Sequence, residues 1–284
     1  MRFLPPVALL AGLLAPTEVF AASPWASGQL HGYAQLGFTY FGDYNAVAGP
    51  DGSDLSLPRT LTNYTLSGYS QVGIGPSTDV LVTVPFRFLA SGAATADEPS
   101  LAAGTLNALG DVSLGLKHQW VKSGGWAMGT QLELTLPTSD SDAATGLRTG
   151  YGTFGISPAI AAGYSWSNAY AMAYANGTFR TPIYTTYDSL VGGGIEGGYR
   201  FWSRLWLASV VEGVGSLDDG NYPNLVGLND AGVYLDGETY FIAGGKLAVD
   251  ISKSFGVNVG AYKTIVSVYT PKAFGINVGI SAKW

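Results

Sequence analysis

The sequence predicts an all-β fold: a transmembrane, antiparallel, up-and-down β-barrel of about twelve strands, with short periplasmic turns and long extracellular loops. Three observations predict it. Apolar residues alternate with small or polar ones over segments of about ten residues, the length a tilted strand needs to cross the hydrocarbon layer. The connections between these segments alternate between long and short. The composition also suits lipid-facing strands, with 12% charged residues, 13% aromatic residues and 40 glycines.

The chain opens on a segment that stands apart from the barrel. Arg2 supplies a positive start, Phe3 to Pro16 is apolar, and Val19-Phe20-Ala21 ends on small residues at the positions a signal peptidase needs. Residues 1–21 are therefore expected to be a signal peptide cut after Ala21, and residues 22–284 the outer-membrane barrel. Pro5, Pro6 and Pro16 break a stretch already too short for a spanning helix. Losing Arg2 and Glu18 leaves the formal net charge at -6. The chain has no cysteine, so no disulfide supports it. Its acidic balance lacks the basic stripe of a nucleic-acid binder.

The strand segments are expected at 29 to 40, 60 to 74, 79 to 90, 109 to 121, 126 to 137, 150 to 164, 169 to 181, 189 to 201, 205 to 215, 238 to 252, 255 to 268 and 274 to 284. In the third, Val80, Val82, Val84, Phe86 and Phe88 alternate with Leu81, Thr83, Pro85 and Arg87. In the fifth, Met128, Leu132, Leu134 and Leu136 share a face with Thr130, opposite Gly129, Gln131, Glu133 and Thr135. The last alternates Phe274, Ile276, Val278, Ile280, Ala282 and Trp284 with Gly275, Asn277, Gly279, Ser281 and Lys283. One face meets lipid and the other a wet or packed lumen. Long connections fall at 41 to 59, 91 to 108, 138 to 149, 182 to 188, 216 to 237 and 269 to 273. The short ones centre on Pro76, Gly124, Ser167, Ser203 and Lys253.

Tryptophan sorts by turn length. Trp25, Trp120, Trp126, Trp166, Trp202, Trp206 and Trp284 all fall beside short turns or the chain ends, as expected of an aromatic girdle at the periplasmic interface. Carboxylates sort the other way: Asp43, Asp51, Asp54, Asp97, Glu98, Asp140, Asp142, Asp188, Asp218, Asp219, Asp230 and Asp236 lie in the long connections. They form a solvated rim, or one that shares divalent cations with lipopolysaccharide or attracts cationic solutes.

Catalysis finds little support. His31 and His118 are the only histidines, and neither spacing brings a serine nucleophile within reach. His118 shares a face with Leu116 and Trp120 and reads as an interfacial side chain. No metal-ligand spacing occurs, and no cofactor is implied.

The lumen carries more information. Inward positions are read as small at Ala159, Ala161 and Gly163, at Ala171, Ala173 and Ala175, and at Gly192, Gly194 and Gly198. The inward charged set is Arg87, Lys117, Glu133, Glu196, Arg200, Glu212, Lys246 and Asp250, a network of mixed sign lining the solute path. The small wall leaves room for a solute, a folded-in loop or the mature N-terminus. A weak place is expected where Pro158, which donates no ladder hydrogen bond, lies beside Ala175 or Asn176, next to Gly177. It reads as a lateral gap for an apolar solute or as a bulge that adjusts curvature.

The segment LGDVSLGLK at 109 to 117, LELTLPTSDSD at 132 to 142 and TGYGTFGISPAI at 149 to 160 together resemble the outer-membrane family named for the MetA pathway of phenol degradation. The resemblance implies uptake of small, aromatic or apolar compounds and carries no catalytic residue. The last strand, ending on Trp284, resembles a barrel-assembly signal. The expected function is thus an outer-membrane channel for a small solute in a Gram-negative cell. Its expected partners are outer-membrane lipid, lipopolysaccharide and the barrel-assembly machinery. The alternatives are an outer-membrane hydrolase and a non-conducting structural or adhesive barrel.

Overall fold

The computed structural model describes residues 22–93, 101–181, 187–217 and 234–284. Residues 1–21, with Asp97, Glu98, Asp218, Asp219 and Asp230, lie outside them. The strands are β1 (Gly32–Ala48), β2 (Asp54–Gly73), β3 (Thr78–Ser91), β4 (Gly104–Leu109), β5 (Val112–Ser123), β6 (Trp126–Leu136), β7 (Ser141–Asp142), β8 (Leu147–Arg148), β9 (Phe154–Ser165), β10 (Ala169–Thr181), β11 (Leu190–Phe201), β12 (Leu205–Ser216), β13 (Thr239–Asp250), β14 (Phe255–Val268) and β15 (Phe274–Lys283).

Each barrel strand pairs antiparallel with its neighbours in the chain, and β1 pairs with both β2 and β15, so the sheet closes. Closure leaves no free sheet edge in the wall, the condition for strands to span lipid. β4 and β5 make one wall strand, because both pair with β3. Their break falls at Gly110 and Asp111, opposite Pro85, whose ring removes the N–H a continuous ladder would use. The Gly110 N–H instead donates to the Pro85 carbonyl at 2.9 Å. Counted so, the wall is a closed barrel of twelve strands. β7 and β8 form a small separate hairpin in the connection from β6 to β9.

The alternation read from sequence is the alternation of burial. On β6, Met128, Leu132 and Leu134 are exposed on the outer face while Glu133 and Thr135 are buried inside. On β15, Phe274, Ile276, Val278 and Ile280 face outward and Asn277 inward. This apolar exterior is the lipid-facing surface of a membrane barrel.

The connection expected at 41 to 59 is largely strand. β1 and β2 remain paired to Ala48 and Asp54, through register shifts after Tyr40 and Tyr44. At 17 and 20 residues they exceed the ~9–11 needed to cross the bilayer. Their far ends are held by Val47, Leu57 and Leu61, which bury against Leu89, Leu147 and Leu235. That apolar cap replaces the two-faced membrane pattern, so alternation stops while pairing continues.

Candidate functional site: the plugged lumen

Six of the eight charged residues read as lumenal are buried inside the barrel, five of them in two groups. Toward the short turns, the Lys117 ammonium lies 3.6 Å from the Asp79 carboxylate, a residue the pattern did not single out. Midway, Lys246 and Glu196 form a 2.6 Å ion pair, and the other Glu196 oxygen accepts the Tyr170 hydroxyl at 2.6 Å. Glu212 accepts the Tyr174 hydroxyl. Glu133 accepts from Ser113 at 3.0 Å and Gln131 at 3.2 Å. Arg87 stands apart, donating to Thr65 at 3.4 Å and lying over the Tyr234 ring. Arg200 and Asp250 belong to the mouth by the short turns. Arg200 donates to the Ser167 carbonyl at 3.0 Å, and Asp250 pairs with Lys283 at 2.7 Å.

One wall differs from expectation. Ala171, Ala173 and Ala175 face outward, and Tyr170, Met172 and Tyr174 point into the lumen. Both sets are apolar enough to read as lipid-facing, but a tyrosine hydroxyl in the lumen finds a carboxylate, whereas in lipid it would find nothing. The glycines of β11 do face inward, and the tyrosines fill their space. A Cβ on Gly198 would lie 2.1 Å from the Tyr170 ring, and one on Gly194 would lie 2.8 Å from the Tyr174 hydroxyl.

Of the three occupants the small wall could admit, the lumen holds the chain's own segment 22–27. Ala22, Ser23, Trp25 and Ala26 are buried within the barrel. The Lys117 ammonium donates to the Trp25 carbonyl at 2.7 Å. The Ala26 N–H donates to Gln119 Oε1 at 3.0 Å, and the Ser27 N–H to Asp79 Oδ2 at 2.9 Å. The Trp25 indole packs with Ala127, Tyr170, Met172, Trp206 and Ala208, edge-on to Tyr170 at 6.0 Å, and lies over Gly163. Trp25 and Trp206 therefore leave the expected girdle. Trp120, Trp126, Trp166, Trp202 and Trp284 remain exposed at or beside the short turns and the chain end. Turn length locates a tryptophan along the barrel axis; only strand parity decides whether it faces in, and Trp206 has the parity of Ala208 and Glu212.

The other end is narrowed by an aromatic cluster that sequence reading missed. Tyr151 meets Tyr187 and Tyr234 edge-on at 4.9 and 5.0 Å, and the Arg180 guanidinium lies 3.6 Å from the Tyr151 ring centre. The Tyr234 hydroxyl donates to the Thr149 carbonyl at 2.9 Å. Glu238, in the connection before β13, is buried beneath them, and burial pushes its carboxyl up to about 8 despite nearby Arg180. The tyrosines lie in three separate connections, so nothing in local spacing joins them.

At the expected weak place, Asn176 lies beside Ala159 and Ala175 beside Ile160, which puts Pro158 opposite Gly177. The ladder skips that pair and the next, then resumes at Phe179 and Ile156 in the same register, so there is no bulge. The Ser157 and Thr178 hydroxyls bridge the gap on the inner face at 3.1 Å, and Asn176 Oδ1 is buried without a hydrogen-bond partner.

His118 faces outward beside Trp120, its Nδ1 2.8 Å from the Thr78 hydroxyl, and His31 Nδ1 lies 3.2 Å from the Trp284 carbonyl oxygen. Among the described residues no group of His, Cys, Asp and Glu could hold a metal ion, and no helix is long and apolar enough to cross a membrane.

The profile of a family described as "Putative MetA-pathway of phenol degradation" matches residues 39–279. No curated protein matches significantly. Among solved structures, the COG4313 outer membrane channel from Pseudomonas putida F1 superposes with a TM-score of 0.72 at 13% identity, covering 94% of this chain and all of that one. The NanC porin gives 0.51 at 8% identity, covering 88% of this chain and 100% of its own. The β domain of the Bordetella autotransporter BrkA gives 0.51 at 11%, covering 90% and 100%. These likenesses establish the barrel fold.

Proposed function

The chain belongs to the family described as "Putative MetA-pathway of phenol degradation", and from that premise we propose that it is an outer-membrane channel for a small aromatic or apolar solute. In this reading residues 1–21 are a signal peptide removed on export, and the exterior sits among outer-membrane lipid and lipopolysaccharide. The last strand, closing on Trp284, serves the barrel-assembly machinery.

The observation that carries the proposal is the seat of Trp25. Within the charged lumen, aromatic and aliphatic side chains from Tyr170, Met172, Trp206, Ala127 and Ala208 form an apolar seat, and an aromatic ring fills it. Such a pocket takes a benzene-sized ring as readily as an indole, because burial of apolar surface is non-directional. The segment 22–27 thus acts as a tethered stand-in for the solute. Solute enters past Tyr151 and Tyr234, displaces Trp25 and leaves toward the short turns.

A second reading has a specific observation in its favour. The skipped pairs at Ser157 and Pro158 against Gly177 and Thr178, with the orphaned Asn176 oxygen, suit a lateral exit into the bilayer. Replacing Pro158 by Val and Gly177 by Ala closes that exit while leaving the axial path.

Binding of toluene to Trp25→Gly in detergent tests the axial reading. The expected result is saturable binding in the variant that is weak or absent in the parent protein. Equal binding by both, or by neither, would overturn the role of the pocket.

A further inference from the structure

We infer that the α-amino group of Ala22, once freed by removal of residues 1–21, donates to the unpartnered carboxylate oxygen of Glu212 and so locks segment 22–27 in the lumen.

The lumen is short of positive charge near its middle. Among the described residues Glu212 and Glu133 take part in no ion pair, while Lys246 is committed to Glu196 and Lys117 to Asp79 and the Trp25 carbonyl. Glu212 is buried, and only one of its oxygens has a partner, the Tyr174 hydroxyl; Oε1 has none. A half-satisfied buried carboxylate is costly, so a cationic donor placed there is strongly favoured.

Packing places Ala22 on the row of the wall that leads to Glu212. One row across the wall runs Gly129, Ala161, Tyr174, Gly194 and Glu212, each paired with the next. Gly194 has no side chain, which lets the Tyr174 hydroxyl pass over it to Glu212. Ala22 packs against Ala161 and Tyr174, on the same row, with 1% of its surface exposed.

In the precursor the Ala22 nitrogen is a neutral amide with one N–H. Hydrolysis of the Ala21–Ala22 peptide bond consumes one water, sends a carboxylate away on Ala21 and leaves an amine that takes up a proton. The product is an ammonium group with three donors, and charge-assisted hydrogen bonds to a carboxylate are about twice as strong as neutral ones. Seating of the segment is thereby coupled to maturation. The site rests on the proposed cleavage, whose failure shows separately in the test.

Intact mass of the purified mature protein first fixes the terminal residue. A start other than Ala22 removes the amine from this row and overturns the inference at its premise. Reductive methylation with formaldehyde, a reagent small enough for a narrow lumen, then reads the amine. In the wild type the Ala22 amine should react far more slowly than the exposed Lys122 and Lys253. Glu212→Gln, which keeps the shape and removes the charge, should speed that reaction about tenfold or more, the effect of losing one hydrogen bond to a charged group. Asp51→Asn, in the exposed turn between β1 and β2, should leave it unchanged. If Glu212→Gln does not fold, a glycine inserted after Ala21 shifts the amine by about 3.3–3.6 Å and should raise the rate instead. A rate unchanged by either alteration, or a wild-type rate equal to that of the exposed lysines, would overturn the inference.

Discussion

The Lys117 ammonium donates a 2.7 Å hydrogen bond to the carbonyl oxygen of Trp25 while facing the buried Asp79 carboxylate at 3.6 Å. One wall residue thus joins the plug to the barrel and neutralises the carboxylate that also holds the Ser27 N–H. Lys117→Met should cost about 3–5 kcal/mol, because it leaves a buried charge unpaired, and should raise ionic conductance in planar bilayers. Adding Asp79→Asn removes that charge and should restore most of the stability without restoring the closed lumen. Urea unfolding and single-channel recordings read the two effects separately; a single variant as tight as the wild type would refute the tether.

The β11 glycines make a second, steric prediction. Gly198→Ala drives a methyl into the Tyr170 ring, and overpacking of this kind costs about 1–3 kcal/mol. The displaced Tyr170 also gives up its bond to Glu196. Gly215→Ala, with nothing within 4 Å of its added carbon, should be neutral and serves as the control. Equal unfolding midpoints for the two variants would mean that Tyr170 does not occupy this wall.

Much of this was legible in the sequence, for a physical reason. Period-two alternation fixes which face meets lipid, so Met128, Leu132 and Ile276 were placed correctly, as were Glu133, Glu196 and Lys246 on the inner face. It fails where both faces are apolar. Tyr170, Met172 and Tyr174 alternate with alanines, and this face turns inward because the Tyr170 and Tyr174 hydroxyls find Glu196 and Glu212, on strands that local pattern does not connect, while Met172 packs with Trp25. Trp25 misled for a similar reason: its place beside a short turn suits a girdle and a plug equally, and only contacts with Tyr170 and Trp206 separate them. The missed Glu238 and Tyr151 meet only through the closed tertiary fold.

The tyrosine cluster should loosen as pH rises. Burial raises the Glu238 carboxyl from 4.5 to about 8, so the folded cluster holds a proton that the opened one gives up. The contribution of this proton to the stability of the cluster is then fully present below about 4.5, falls through the interval and is lost above about 8. Hydrogen exchange at the Leu235 amide, 3.4 Å from Glu238 Oε1, should show local opening rising across that window beyond its chemical pH dependence. In Glu238→Gln this excess should vanish. The same excess in both proteins would assign it to another group.

Whether solute passes only when segment 22–27 withdraws is tested most directly by locking that segment in place. The chain has no cysteine, and Ala22 packs against Ala161, so Ala22→Cys with Ala161→Cys supplies one reducible lock. Toluene uptake into vesicles containing the double variant should be abolished when the disulfide is formed and return on reduction. Undiminished uptake with the lock closed would contradict an axial path through the lumen.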